Sequence, residues 1–528
     1  MEQIKIENLS FTYSLADEPS LRGISLCVHE GEYVVVCGKS GCGKTTLLRH
    51  LKPAIAPHGK KDGKIYFNGK ELDSLDLRTQ SQKIGFVMQD PESQIVTDKV
   101  WHELAFGLEN LGLDTSEIRL RVAEMASYFG IDSWFDKKIS ELSGGQKQIL
   151  NLASIMAMHP DVLVLDEPTS RLDPIAAERF LATVNRINRD LGVTVIITEH
   201  RLEDIFQHAD RIVVLENGQT LADEAPDDIM KIIDRLPLFV RLSLPTSIRI
   251  FAQSGFTGKP PKTIRDARRL LKEQQLACRE LNKPVKRLSE KNAVEFKNVS
   301  FRYERNGADI IRSLNLKIPQ NRVFAILGGN GAGKTTLSKL AAGTEKPYSG
   351  KIKMNGSCAV MPQEVRTLFT SRKVEDELKS VCGNDEIVER TAALTQIKKL
   401  FANHPFDLSG GEQQRLAIAK LLLCNRDIYF FDEPTKGMDA EFKVIFADIL
   451  RDLIQHGKTV VLISHDIEFC AENADVCAML FDGEISAVQD TRRFFCGNRF
   501  YTTAANKISR GFIDGAITDK DVIECLKN

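Results

Sequence analysis

"VVVCGKSGCGKTTLLRHL", residues 34–51, and "FAILGGNGAGKTTLSKLA", residues 324–341, decide the fold between them. Each opens on an apolar run that reads as a buried strand, passes through G-x-x-x-x-G-K-[ST], and continues in a helical pattern. That context marks the pattern as a phosphate-binding loop. Its glycines let backbone amides curl around the β- and γ-phosphates of a nucleotide, and the helix start adds positive potential. The residues read as facing the nucleotide are Gly38, Ser40, Gly41, Gly43, Lys44, Thr45 and Thr46 in the first run. In the second they are Gly328, Asn330, Gly331, Gly333, Lys334, Thr335 and Thr336. Lys44 and Lys334 reach the phosphates, and the hydroxyls of Thr45 and Thr335 hold Mg2+. Cys42, inside the first loop, is either a small residue that fits or a thiol whose alkylation blocks the site.

The two runs belong to a longer internal repeat. "LSGGQKQILNLA" (142–153) returns as "LSGGEQQRLAIA" (408–419), "VLVLDEPTSRLD" (162–173) as "IYFFDEPTKGMD" (428–439), and "IITEH" (196–200) as "LISHD" (462–466). Equivalent residues are 290 apart at the phosphate-loop lysines (334 − 44), 274 at Gln89 and Gln363, 266 at Ser143 and Ser409, and 265 at His200 and His465. The second copy is therefore shorter by 16 residues before the glutamine (290 − 274) and by 8 after it (274 − 266). A duplicated α/β domain with trimmed loops follows: residues 1–221 and 292–490, separated by a partly helical segment 222–291 and followed by a tail 491–528. The separating segment carries six prolines and a helix-like stretch over 263–282; its basic surplus reads as a solvated helix face.

"VLVLDE" and "IYFFDE" are buried strands ending in two carboxylates. Asp166 and Asp432 face the Mg2+ shell, and Glu167 and Glu433 polarise the attacking water as general bases. Ser143, Gly144 and Gly145, and likewise Ser409, Gly410 and Gly411, place a hydroxyl and two small residues at a helix start, where a phosphate can approach closely. A plain serine N-cap is the other reading of the same residues.

Phosphate loop, glutamine, LSGG, Asp-Glu, aspartate loop and histidine in this order resemble the ATP-binding cassette (ABC) ATPases over about 400 of the 528 residues. The resemblance implies two P-loop NTPase domains of ABC type, each with a RecA-like core, an antiparallel β subdomain and an α-helical subdomain. It further implies that Tyr13 and Tyr303 stack on adenine, a core tyrosine being the alternative. By the same resemblance Gln89 and Gln363 sense Mg2+ and water, Asp173 and Asp439 link two sites, and His200 and His465 contact the γ-phosphate and water. The resemblance also implies that the two domains pair head to tail within the chain, so that Lys44 would share one ATP with Ser409 and Lys334 another with Ser143.

"QDPESQIVTDKVWHELAFGLENLG" (89–112) has no chemistry of its own beyond Gln89. It resembles the corresponding segment of the ATPases of energy-coupling factor (ECF) transporters, which import vitamins or transition-metal ions. That resemblance implies a transmembrane coupling protein and a small membrane-embedded substrate-binding component as partners, at the cytoplasmic face of the membrane. The polar run 90–98 is the expected contact surface, while Phe106, Leu108 and Leu111 also fit a core face. A soluble tandem-cassette translation factor on the ribosome is the competing reading. It fits poorly with a net charge of −1, which provides no basic field for nucleic acid. No stretch of about 18 apolar residues spans a bilayer, and the eleven scattered cysteines form no Cys-x-x-Cys pair, so reduced thiols in a cytosolic setting are expected.

Overall fold

A computed structural model describes all residues except 15, 200–201, 274–278, 282–290, 330 and 528. The chain forms two compact units, Met1–Ile248 with Thr257–Lys262, and Arg249–Phe256 with Thr263–Asn528. Both are α/β.

The strand Tyr33–Gly38 is buried along its whole length, which is what a continuous apolar run between two covered faces dictates. Val35 and Cys37 join the core on one face of the sheet, and Val34 and Val36 the core on the other. Around it lies a six-stranded sheet ordered Gln219–Glu224, Arg211–Glu216, Tyr33–Gly38, Thr194–Thr198, Val162–Asp166, Ile84–Val87. All neighbours run parallel except the antiparallel edge strand Gln219–Glu224. A second, antiparallel sheet is built from Glu2–Tyr13, Leu21–His29, Gly59–Phe67 and Lys70–Glu71. Helices Val100–Asn110, Thr115–Tyr128 and Gly144–Met156 form the helical part.

The second unit repeats this plan with Val323–Leu327 in the place of Tyr33–Gly38. Its trimmed loops are now located. Between Gly59–Phe67 and Ile84–Val87 the first unit inserts a strand, a 3-10 turn and the helix Leu77–Lys83, whereas Ser349–Met354 passes almost directly into Cys358–Met361. Most of the 16-residue difference lies there. The helix after the glutamine shrinks from 11 residues in Val100–Asn110 to 6 in Val374–Lys379.

The segment between the repeats is divided between the units. Helix Ile264–Glu273 and the end of Thr246–Gln253 pack with the tail helices Ala504–Ser509 and Asp519–Lys527 around Phe251, Leu271, Ile508 and Val522. Arg268 donates from Nη1 to the carbonyls of Lys507 and Arg510, capping the tail helix. The helix expected over 263–282 is described only to Glu273; Arg279–Glu280 instead pair in parallel with Ile513–Asp514. That strand gives the backbone of Leu281 a partner, the Asp514 carbonyl, that a helix would not use.

Candidate functional site

Both phosphate loops close on a glycine that no other residue could replace. Gly43 and Gly333 sit at φ 101° as the caps of helices Lys44–His50 and Lys334–Ala342, a left-handed conformation costly for any side chain. A Cβ on Gly43 would come within 2.7 Å of the Ser20 carbonyl. Lys44 Nζ turns back to donate to the carbonyls of Gly38 (2.9 Å) and Lys39 (3.2 Å), and Lys334 Nζ does the same to Gly328 (2.9 Å) and Gly329 (3.0 Å). Each ammonium is thus held over the mouth of its own loop, where phosphate oxygens can exchange with the carbonyls. Cys42 is buried, and burial raises its thiol, so it is a poor nucleophile and a good fit. Asn330 and His200 lie outside the described residues.

Strand register carries the carboxylates to these loops. In the first unit Thr45 Oγ1 donates to Asp166 Oδ1 at 3.0 Å, and Thr198 Oγ1 donates to the same oxygen at 3.0 Å. Glu167 receives Gln89 Nε2 at 2.8 Å and lies 3.8 Å from Lys44 Nζ. In the second unit Thr335 Oγ1 donates to Gln363 Oε1 at 3.3 Å, Ser338 Oγ to Asp432 Oδ2 at 3.0 Å, and His465 Nδ1 approaches Glu433 Oε2 at 2.7 Å. The sequence-predicted metal and base residues therefore converge in each unit.

A divalent cation fits this donor set. Asp432 Oδ1 is buried and has no hydrogen-bond partner among the described residues, a cost that a cation or its bound water would remove. Burial, with Glu433 adjacent, pushes Asp432 up to about 6, and burial also raises Asp166. Two neighbouring carboxylates in a dry pocket are the electrostatic signature of a site meant to hold positive charge.

Other expected residues have local partners as well. Ser143 and Ser409 are N-caps with reciprocal capping boxes through Gln146 and Glu412, so their glycines stand at exposed helix starts. Asp173 and Asp439 also cap helices, accepting from Ala176 N at 2.9 Å and Phe442 N at 2.8 Å. Tyr13 and Tyr303 place their hydroxyls on Thr46 (2.9 Å) and Thr336 (3.2 Å), fixing each ring beside its loop.

In the stretch 89–112, Leu108 and Leu111 are core and Phe106 half-buried. The buried Glu103 carboxylate gathers the amides of Val96 (3.1 Å) and Thr97 (2.8 Å), folding the polar run back onto its helix. Val96 and Trp101 remain exposed. Asp90 pairs with Arg171 at 2.8 Å and Glu92 with Lys147 at 2.5 Å. Sequence reading missed Thr198, Ser338, Glu199 and Gln414, all of which touch the carboxylate turns. For Thr198, Glu199 and Ser338 the signal available was the mismatch between otherwise aligned repeats; Gln414 matches Gln148 and gave none.

A family model described as ABC transporter matches residues 21–170 and 311–436. A Bacillus thuringiensis subsp. konkukian chain, provisionally named ABC transporter ATP-binding protein, is 39% identical over 99% of this chain and 98% of its own. A Methanosarcina mazei chain of the same provisional name is 34% identical over 91% of this chain and 88% of its own. Among solved structures, an archaeal ribosome recycling factor, aABCE1, crystallised with the stalk protein aP1, aligns with a TM-score of 0.61 at 22% identity, covering 93% of this chain and 92% of its own. That likeness is one of fold.

Proposed function

Since the chain belongs to the ABC transporter family as a tandem-cassette ATPase, we propose that it is the energy-coupling subunit of an importer of ECF type. It works at the cytoplasmic face of a membrane, and among the described residues no helix is long and apolar enough to cross one. ATP occupies two composite sites, Lys44 with Ser409 and Lys334 with Ser143. Fusion keeps the pairing partners at high effective concentration.

The residues present divide the labour of hydrolysis. Lys44 and Lys334 hold phosphate oxygens, and Thr45 with Asp166, and Thr335 with Asp432, hold Mg2+, which neutralises charge on the phosphates. Gln89 orients the Glu167 carboxylate, which takes a proton from the attacking water. In cassette two His465 plays that orienting part for Glu433. Binding closes the paired cassettes, and hydrolysis with product release reopens them.

The observation that carries the importer reading is the stretch 89–112. Its glutamine sits on the catalytic carboxylate, while Val96 and Trp101, a few residues on, face outward. A motion at the nucleotide thereby reaches a surface suited to a transmembrane coupling protein, which in turn holds a small substrate-binding component. The test is a pull-down of the tagged chain from gently detergent-solubilised native cells. A multi-span membrane protein with a small hydrophobic companion is the expected yield. Ribosomal proteins without a membrane partner would replace this reading with that of a translation factor.

A further inference from the structure

The turn that presents each catalytic glutamate is strained. Glu167 and Glu433 sit at φ 44° and 52°, a region that residues with a side chain occupy only when their surroundings hold them there. The near flank is held by the neighbouring strand in both cassettes, by the amide of Glu167 on the Thr198 carbonyl (3.2 Å) and that of Glu433 on the Ile463 carbonyl (2.8 Å), and in cassette one the Thr198 hydroxyl also accepts the Glu167 amide at 2.9 Å. The far flank is held differently. In cassette two Gln414 Nε2, from the helix Gly410–Leu423, donates to the carbonyls of Glu433 and Pro434, both at 3.1 Å. The equivalent Gln148 of cassette one donates elsewhere, to the Met88 carbonyl at 3.3 Å.

Glu199 takes over the far flank. It is 5% exposed and its Oε1 accepts from both the amide (3.1 Å) and the hydroxyl (2.7 Å) of Thr169, two residues beyond Glu167. Cassette two has Ser464 in that place, and its hydroxyl accepts the Asp466 amide at 3.0 Å instead. Among the described residues, the charged and titratable groups that face Glu199 are Glu167, Asp204 and Tyr33. None is a cation, and burial pushes the carboxyl up to about 8. At neutral pH it is a neutral acid that accepts two hydrogen bonds without repelling Glu167.

We propose that Glu199 is a positioning residue for hydrolysis in cassette one, holding Glu167 in its strained conformation through Thr169. The inference rests on the assignment of Glu167 as the base. Kinetics of the full chain test it. Glu199→Ser, which installs the cassette-two residue, is expected to lower kcat to about half or below, one site's share or more, with KM for ATP shifted by less than about twofold. Glu199→Gln keeps an acceptor at Thr169 and is expected to recover most of that loss. The unaltered chain should lose rate as pH rises through about 8, when a carboxylate forms beside Glu167, and the Gln variant should lack that limb. Unchanged kcat in Glu199→Ser, or a Gln variant as slow as the Ser variant, would overturn the inference alone. Should Glu199→Ser not fold, Thr169→Val removes only the hydroxyl donor and carries the same kcat expectation and the same refutation. Wild-type turnover in Glu167→Gln would instead overturn the base assignment, and this inference with it.

Discussion

The two cassettes hold the same aspartate by different hydroxyls. Asp166 is bonded by Thr198 at the end of its neighbouring strand, and the register partner of Asp432 is Ile463, which has no hydroxyl to offer. Asp432 is bonded instead by Ser338, one turn along the phosphate-loop helix, where cassette one has the core residue Leu48. A pair of residues has exchanged character, Leu48 and Thr198 against Ser338 and Ile463, and the carboxylate kept its partner. What is preserved between duplicated sites is a hydroxyl donor to the buried carboxylate, not the identity of the side chain that carries it.

The glutamates give the largest test of how alike the sites are. Glu167→Gln and Glu433→Gln are each expected to retain bound ATP and to slow turnover of their own site by about 100-fold or more. The readout is phosphate release together with nucleotide retained after gel filtration. Equal losses would make the sites equivalent in rate despite their different scaffolding. A near-normal rate in one variant would mean that the cassette concerned contributes little to hydrolysis.

The exchanged pair comes next in size. Thr198→Ile removes a hydrogen bond to a buried carboxylate, worth about 1–3 kcal/mol, and should raise the Mg2+ requirement of ATP binding about tenfold or more. Leu48→Ser added to it should restore part of the loss. An additive double variant would break the comparison by showing that the two positions do not serve the same carboxylate.

A smaller effect is expected with pH. Asp432 is pushed up to about 6, so in the absence of Mg2+ it gains a proton as pH falls through that value. Binding of Mg2+ must displace the proton, so the apparent Mg2+ affinity of cassette two should weaken on acidification from about 7 to about 5.5. The sign follows from the raised value: above about 6 the carboxylate is free to bind, and below it is neutral. Isothermal titration in Glu433→Asn, which removes the neighbouring charge, should show a shallower dependence.

Much of this was legible in the sequence because the repeat is its own control. The phosphate loops, the Asp-Glu strand ends and the α/β plan follow from apolar runs and glycines whose roles are local. The partners of those residues are not local. Glu199 meets Thr169 across 30 positions and Ser338 meets Asp432 across 94, and only strand register brings them together. The tail was opaque for a related reason. Its Thr518-x-x-Asp521 helix start matches Thr263-x-x-Asp266, both with the threonine hydroxyl on the aspartate amide, and Glu468 receives the Ala504 amide as Glu203 receives that of Thr246. The duplication therefore runs past both cassettes into short helices too poorly matched in sequence to be seen without their hydrogen bonds.

The smallest expected change in stability carries the most information about partners. Glu92 and Lys147 form a pair on the outer side of the glutamine turn, with the Glu92 side chain 66% exposed. The equivalent pair in cassette two has a cation in the place of Glu92 and a neutral amide in the place of Lys147: Arg366 Nε donates to Gln413 Oε1 at 3.1 Å. Cassette two thus already carries the charge reversal that cassette one lacks, and it folds the same turn. Glu92→Arg combined with Lys147→Gln, which installs the cassette-two pair, should therefore change the melting of the chain by no more than an exposed ion pair is worth, up to about 1 kcal/mol, and leave hydrolysis by the isolated chain intact. If the two turns receive different helices of one membrane partner, the same variant should abolish stimulation by that partner, whereas Arg366→Glu should do so by the opposite change of sign. Stimulation that survives in both variants would mean that the inverted charges are surface variation and that the partner is read elsewhere.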